Sequence, residues 1–266
     1  MEGLNHTQPA AELSLIILHL GSGASACAVR NGRSLDTSMG LTPVHGLPGA
    51  TRSGSIDPSL IFHYTNKAGK ISHDPAVQAM HTNVSVAEDI LNRKSGWKAL
   101  CGTTDFGEIV QKAELEKPTG DVINQNPYRL AFDLFVDRVL DYVGSYHLKL
   151  DTQVDALVFA GGIGEHSVQL RDVLGKKIRC LGYDEIDREK NGNAEKQQDV
   201  VISISSDLGP RTASAGRILV VKTDEQVGVM PTSWGFLTDF DISLRWRDSA
   251  PWTKDSGSES NNDYIK

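Results

Sequence analysis

Three glycine-rich turns, each after an apolar β-type run, hold the residues best suited to chemistry. They are LIILHLGSGAS (residues 15–25), GLPGATRSGSIDP (46–58) and ALVFAGGIGEHS (156–167). A buried strand ending in Gly-x-Gly lets the backbone approach a ligand and aim its N–H groups at phosphate oxygens. At the first turn, Gly21, Gly23 and the Ser22 or Ser25 hydroxyl suit a phosphate chain. The other reading is a tight turn whose glycines supply positive φ. Arg52 stands between Thr51 and Ser53 on a loop with Gly49 and Gly54. A guanidinium there offers several donors to a phosphoryl group in flight, although a surface ion pair is the commoner fate of an arginine. Asp57 either anchors this loop or caps the next helix. Residues 161–165 follow a strand and open a helix, an arrangement that favours anions or close strand–helix contact. Thr223-Asp224-Glu225 closes the last strand, where hard oxygen donors suit Mg²⁺ and a solvated acidic turn is the alternative.

These residues need a scaffold, and the pattern supplies one. Ser14–Leu20 reads as a buried strand, 25–30 as a second, and Asn31-Gly32 as the two-residue turn to a third at 34–38. Helical patterns follow at 59–65, at 85–91 with a capping-box spacing from Ser85 to Glu88, and at 127–148. In the last, Leu130, Leu134, Phe135, Val139, Tyr142 and Val143 recur at helical spacing. Ala156–Ala160 is a further strand and 167–180 the helix after its turn. A polar linker at 187–198 leads to strands at 200–204 and 218–221. Strands first, then helices alternating with strands, predict an α/β fold with a mixed sheet covered by helices. Residues 1–12 and 254–266 read as disordered ends, and 228–266 as a segment of different character.

Bulk properties narrow the function. The chain has 266 residues, 39% hydrophobic and 23% charged, with a formal net charge of −7. An acidic chain of ordinary composition does not fit a nucleic-acid or anionic-membrane binder. Cys27, Cys101 and Cys180 form no C-x-x-C pair and fit free thiols in a reducing compartment, with Cys27 a small core residue. The first Lys or Arg is Arg30, and the apolar run 13–20 is too short to span a bilayer. A cytoplasmic protein is expected.

Taken together, the stretches HLGSGASACAVRNGRSLDTSMGLTPVHGLPGATRSGSIDP, KSGWKALCGTTDFG, VFAGGIGEHSVQLR and VVKTDEQ resemble the acetate kinase family, of the acetate and sugar kinase, Hsp70 and actin superfamily. The resemblance covers residues 14–226, within a domain expected at 13–227. It implies an actin-like ATPase (ribonuclease H-like) domain and phosphoryl transfer between ATP and acetate, giving ADP and acetyl phosphate, with Mg²⁺. Carried over by motif, His19, Leu20, Gly21, Ser22 and Gly23 lie at the nucleotide phosphates, and Arg52 stabilises the transition state. Asp105, Phe106 and Gly107 border the nucleoside; Gly162, Ile163, Gly164, Glu165 and His166 form the adenine-side turn. Glu225 takes the magnesium. Ser22 stands where asparagine is usual, a tolerable change because hydroxyls also contact phosphate; His166 in place of asparagine and Gly107 where many members carry arginine leave pyrophosphate or another donor open. The resemblance also makes the 127–148 helix a candidate homodimer contact.

The family's N-terminal catalytic domain, with its acyl-contacting arginine, catalytic aspartate and transition-state histidine, has no counterpart in these motifs. Two alternatives to acetate phosphorylation follow. One is a truncated, non-catalytic nucleotide-binding chain, for which negligible acetate phosphorylation by the isolated protein is expected. The other is a kinase of a different short-chain carboxylate.

Overall fold

A computed structural model describes residues 13–78, 84–118, 125–206 and 216–223, all in one compact unit ending at Thr223. Its sheet has six strands: β1 (Ser14–Leu20), β2 (Ala24–Arg30), β3 (Arg33–Thr37), β4 (Ala156–Ala160), β5 (Val201–Ser203) and β6 (Arg217–Val221), in the order β3-β2-β1-β4-β6-β5. The β2–β3 turn has Asn31 at φ 52° and Gly32 at φ 72°, the double left-handed geometry that Asn-Gly favours. β1 runs parallel to β4, and β4 to β6, while β2, β3 and β5 pair antiparallel. Every residue of β4 and all but His19 of β1 are buried, so helices and loops cover both faces of the sheet's centre. The mixed α/β architecture is as the sequence predicts.

The helices are α1 (Leu60–Tyr64), α2 (Pro75–Gln78), α3 (Val86–Arg93), α4 (Gly96–Cys101), α5 (Phe106–Lys112), α6 (Pro127–Lys149), α7 (Gly161–His166), α8 (Val168–Ile178) and α9 (Arg188–Asn193). Ser85 and Glu88 form the expected capping box on α3. α6 starts with Pro127 behind an Asn126 cap and buries Phe132, Phe135, Val136, Val139 and Val143. Leu130 and Leu134 lie on its outer side instead, at 37% and 36% exposure, so its inward stripe is rotated from the expected one. The stretch 187–198 is not a linker: it forms α9 and a 3₁₀ turn at Ala194–Lys196, with Asn191 and Ala194 buried. α8 gives way to a 3₁₀ turn at Arg179–Leu181, short of the predicted end at 180. Cys27 is buried, and burial pushes its thiol pKa up, as a core residue requires. The expected ends at 1–12 and 228–266 lie outside the described residues.

His147 faces inward from α6 at 7% exposure. Its Nδ1 has no hydrogen-bond partner among the described residues, and its ring lies 5.8 Å from that of Tyr183. Burial lowers its pKa below the ordinary 6.5. As pH falls the unfolded chain takes up this proton first, so the stability is whole above the unfolded value and declines as pH drops through 6.5 towards the folded value. Between about pH 7.5 and about pH 5 the melting temperature should therefore fall more steeply for the wild type than for His147→Phe. Equal slopes in a thermal melt series would refute the assignment.

Candidate functional site

Topology brings the glycine turns together. β1, β4 and β6 run the same way and end at Leu20, Ala160 and Val221, with His19 opposite Ala160 and Phe159 opposite Val220. Loops beyond the carboxyl ends of adjacent parallel strands are where open α/β sheets hold ligands.

The first turn is closed by the Gly21 amide donating to the Gly23 carbonyl at 3.0 Å. Ser22 is exposed, and neither the Ser22 nor the Gly23 amide has a protein acceptor among the described residues. Arg52 lies directly over this turn. A methyl group on Gly23 would sit 1.9 Å from Arg52 Nη2, so the guanidinium occupies the space that a side chain at position 23 would fill. Arg52 is half-buried, and its side chain has no hydrogen bond and no carboxylate partner among the described residues. A cation held without a protein anion, beside open backbone amides, is arranged to receive a ligand anion. Among the described residues, the surface ion pair weighed for this residue does not form.

The third turn abuts the first. Gly161 has φ +74°, and a side chain there would meet the Leu20 carbonyl oxygen at 2.8 Å and His19 Cε1 at 3.2 Å. Residues 161–166 open a helix directly after β4, as the sequence suggests, but it is the short α7, and Ser167 then caps the separate α8. Gly162 is exposed, Ile163 half-buried and Gly164 buried. The Glu165 carboxylate turns to β6, accepting from the Thr223 amide at 3.0 Å and the Thr223 hydroxyl at 2.6 Å. His166 is exposed, with Nδ1 3.4 Å from Glu195 Oε1. These two line a pocket of about 170 Å³ with Ala194, Val220 and Lys222.

Asp105 caps α5, its Oδ1 accepting from the Gly107 amide at 2.8 Å. Both residues are exposed, whereas the Phe106 ring is buried against Trp97 and Phe135, at 5.6 Å and 5.2 Å between centroids. Trp97 ties this segment to the arginine loop: its amide donates to the Gly49 carbonyl at 3.2 Å, and its indole N–H to the Thr104 carbonyl at 3.4 Å. Sequence reasoning gave Trp97 no role, although KSGWKAL lay within a motif. It also missed Arg171, at 1% exposure. Its guanidinium donates to the Gly164 and Glu165 carbonyls at 2.8 and 2.6 Å, and to Asn191 Oδ1 and the Asn191 carbonyl at 2.7 and 3.0 Å. Glu225 lies outside the described residues, and among those described no group of three or more His, Cys, Asp or Glu is placed to hold a metal.

Residues 3–230 match the family model described as the acetokinase family. The chain belongs to that family. It is 50% identical over 219 residues to a protein named probable acetate kinase from Emericella nidulans, covering 82% of this chain and 48% of that one. Among solved structures, a propionate kinase from Francisella tularensis aligns with TM-score 0.60 and 34% identity over 82% of this chain and 48% of that one. The acetate kinase of Porphyromonas gingivalis gives 0.58 and 30% over 80% and 46%. The fold is thus the actin-like ATPase fold of these acetokinase relatives. The chain spans about half the length of the curated relatives it matches. No helix among the described residues is long and apolar enough to cross a membrane.

Proposed function

We propose that this acetokinase chain belongs to an acetate kinase that moves a phosphoryl group between ATP and acetate. It supplies the nucleotide side of the site. The observation that carries the reading is Arg52, a half-buried guanidinium over the glycine turn with no carboxylate partner among the described residues. The Ser22 and Gly23 amides receive phosphate oxygens, and Arg52 meets the group in transfer. In-line transfer requires little covalent chemistry from the protein, so position and opposing charge are the main contributions. Gly162 and Ile163 face the nucleoside, with Asp105 and Gly107 on its other border. Magnesium is the natural companion of ATP, and Glu225, which the family motif assigns to it, has hard oxygen donors suited to hold it. Bound there, the ion would neutralise phosphate charge. The acidic chain and its family motifs fit small-molecule substrates in the cytoplasm. The outward-facing Leu130 and Leu134 on α6 suit a subunit contact.

The test is ATP binding by calorimetry together with acetyl phosphate formation from ATP and acetate, trapped as the hydroxamate. Binding that depends on Arg52 supports the reading; a chain that does not bind ATP refutes it. Acetyl phosphate formed by the purified chain and lost in Arg52→Ala would show that the chain turns over alone.

Gly23→Ala separates site from fold. The atoms nearest the added methyl all belong to the far end of the Arg52 side chain, which swings aside at little cost to folding. ATP affinity should fall by about tenfold, roughly the value of one charge-assisted hydrogen bond, with the melting temperature nearly unchanged. Unaltered affinity would mean that the guanidinium's place over Gly23 is irrelevant to binding.

A further inference from the structure

The loop carrying Arg52 caps two helices at once. The Trp97 and Lys98 amides, first-turn donors of α4 with no acceptor inside their own helix, bond the Gly49 and Ala50 carbonyls at 3.2 and 3.0 Å. At the other flank α3 ends, leaving carbonyls that also need donors. The Ser53 amide takes the Leu91 carbonyl at 2.9 Å, and Thr51 Oγ1 takes the Asn92 carbonyl at 2.8 Å. The Ser95 amide returns a bond to the Thr51 carbonyl at 3.0 Å, and the Ala50 amide one to the Ser22 carbonyl at 2.8 Å. Gly96 has φ +67°, and any side chain there would meet the Gly49 carbonyl oxygen at 2.1 Å, so α4 approaches the loop as closely as a backbone can.

Every residue from 49 to 53 except Arg52 is therefore fixed to another element through its backbone or its side chain. Among the described residues, Arg52 itself is tied back only through its carbonyl, which accepts from the Gly49 amide at 3.0 Å. Its side chain depends on its neighbours for direction. Among the described residues, Thr51 contributes the one side-chain hydrogen bond between this flank and α3.

We propose that Thr51 is a positioning residue for Arg52: its hydroxyl holds the α3 carbonyl end and so keeps the guanidinium over Gly23. This rests on the proposed role of Arg52 at the transferring phosphoryl group. Pre-ordering a guanidinium matters because its fork must meet the phosphate oxygens without first losing conformational freedom. The Asn92 carbonyl can take a water when the hydroxyl is removed, so the fold loses little while the site loses alignment.

Thr51→Val keeps the shape and removes the donor; Thr51→Ser keeps the donor. Calorimetry on the full chain should show ATP affinity reduced about tenfold in Thr51→Val, ADP affinity changed less than twofold, and Thr51→Ser within twofold of wild type. In an Arg52→Ala background, Thr51→Val should add nothing. If Thr51→Val does not fold, Thr51→Ala takes its place in each comparison. ATP affinity equal to wild type in the donor-less variant, equal losses for ATP and ADP, or a serine variant that behaves like the valine would each overturn the proposal. A wild-type chain that ignores ATP, or binds it equally well without Arg52, would overturn the functional reading as well. ATP binding through Arg52 that is indifferent to Thr51 would overturn this inference alone.

Discussion

Arg52→Ala should lower the rate of acetyl phosphate formation by about a thousandfold or more, the usual scale for an arginine that meets a phosphoryl group in transfer. That factor corresponds to about 4 kcal/mol of transition-state stabilisation. It exceeds what the same side chain would contribute in a surface ion pair, about 1 kcal/mol at most. The difference comes from place: the guanidinium is half-buried over Gly23 with no carboxylate partner among the described residues to quench it, so its charge is available to the charge that spreads over the equatorial oxygens. Arg52→Lys should recover little, because an ammonium offers a point charge and no fork. ADP lacks the transferring group, and its affinity should change less than twofold. ADP with aluminium fluoride, which mimics that group, should bind about a hundredfold more weakly to the variant. The mimic therefore reads the effect even where turnover is too slow to follow. A variant of unchanged melting temperature that transfers phosphoryl groups within tenfold of wild type would remove Arg52 from the mechanism.

Arg52 was legible in the sequence because its surroundings are small: glycines at 49 and 54 leave a guanidinium little to do locally. The strands were legible for similar local reasons. Ser14–Leu20 and Ala156–Ala160 are continuous apolar runs closed by glycines, and Asn31-Gly32 dictates its own turn. What local pattern does not contain is pairing. That β1, β4 and β6 lie parallel, bringing Gly23, Gly161 and Thr223 to one edge, depends on distant pairings such as Leu15 with Ala156 and Ala156 with Arg217. The Thr51 bond to Asn92 spans 41 residues and leaves no periodic trace. Helical spacing in α6 also fits two phases, and only the aromatic cluster of Trp97, Phe106, Phe132 and Phe135 decides that Phe132 turns inward and Leu130 outward. The 187–198 stretch misled for a sharper reason. Its buried members are Asn191 and Ala194, neither of which marks a core, and Asn191 is buried because it serves Arg171.

Arg171 is accordingly where the largest stability loss is expected. Its guanidinium, 1% exposed, makes four hydrogen bonds, all to uncharged oxygens. Burial pushes its pKa down to about 10, still high enough to keep it charged at neutral pH. Replacing a buried ion pair by apolar residues can be neutral when both partners go. Here three of the four acceptors are backbone carbonyls, which no substitution removes. Arg171→Leu therefore leaves the buried Gly164 and Asn191 carbonyls and the half-buried Glu165 carbonyl without their donor and should cost about 3–5 kcal/mol. Asn191→Ala leaves the two α7 carbonyls bonded and should cost about half as much. The damage should not stop at stability. Arg171 grips the carbonyl end of α7, whose Glu165 side chain holds Thr223, so the third glycine turn and the end of β6 lose their common anchor together. Urea unfolding should show the lower midpoint, and ATP affinity should fall in the fraction that remains folded. A midpoint shift worth less than about 1 kcal/mol would mean that water replaces the guanidinium at these carbonyls and that the turn is fixed by its contact with Leu20 alone.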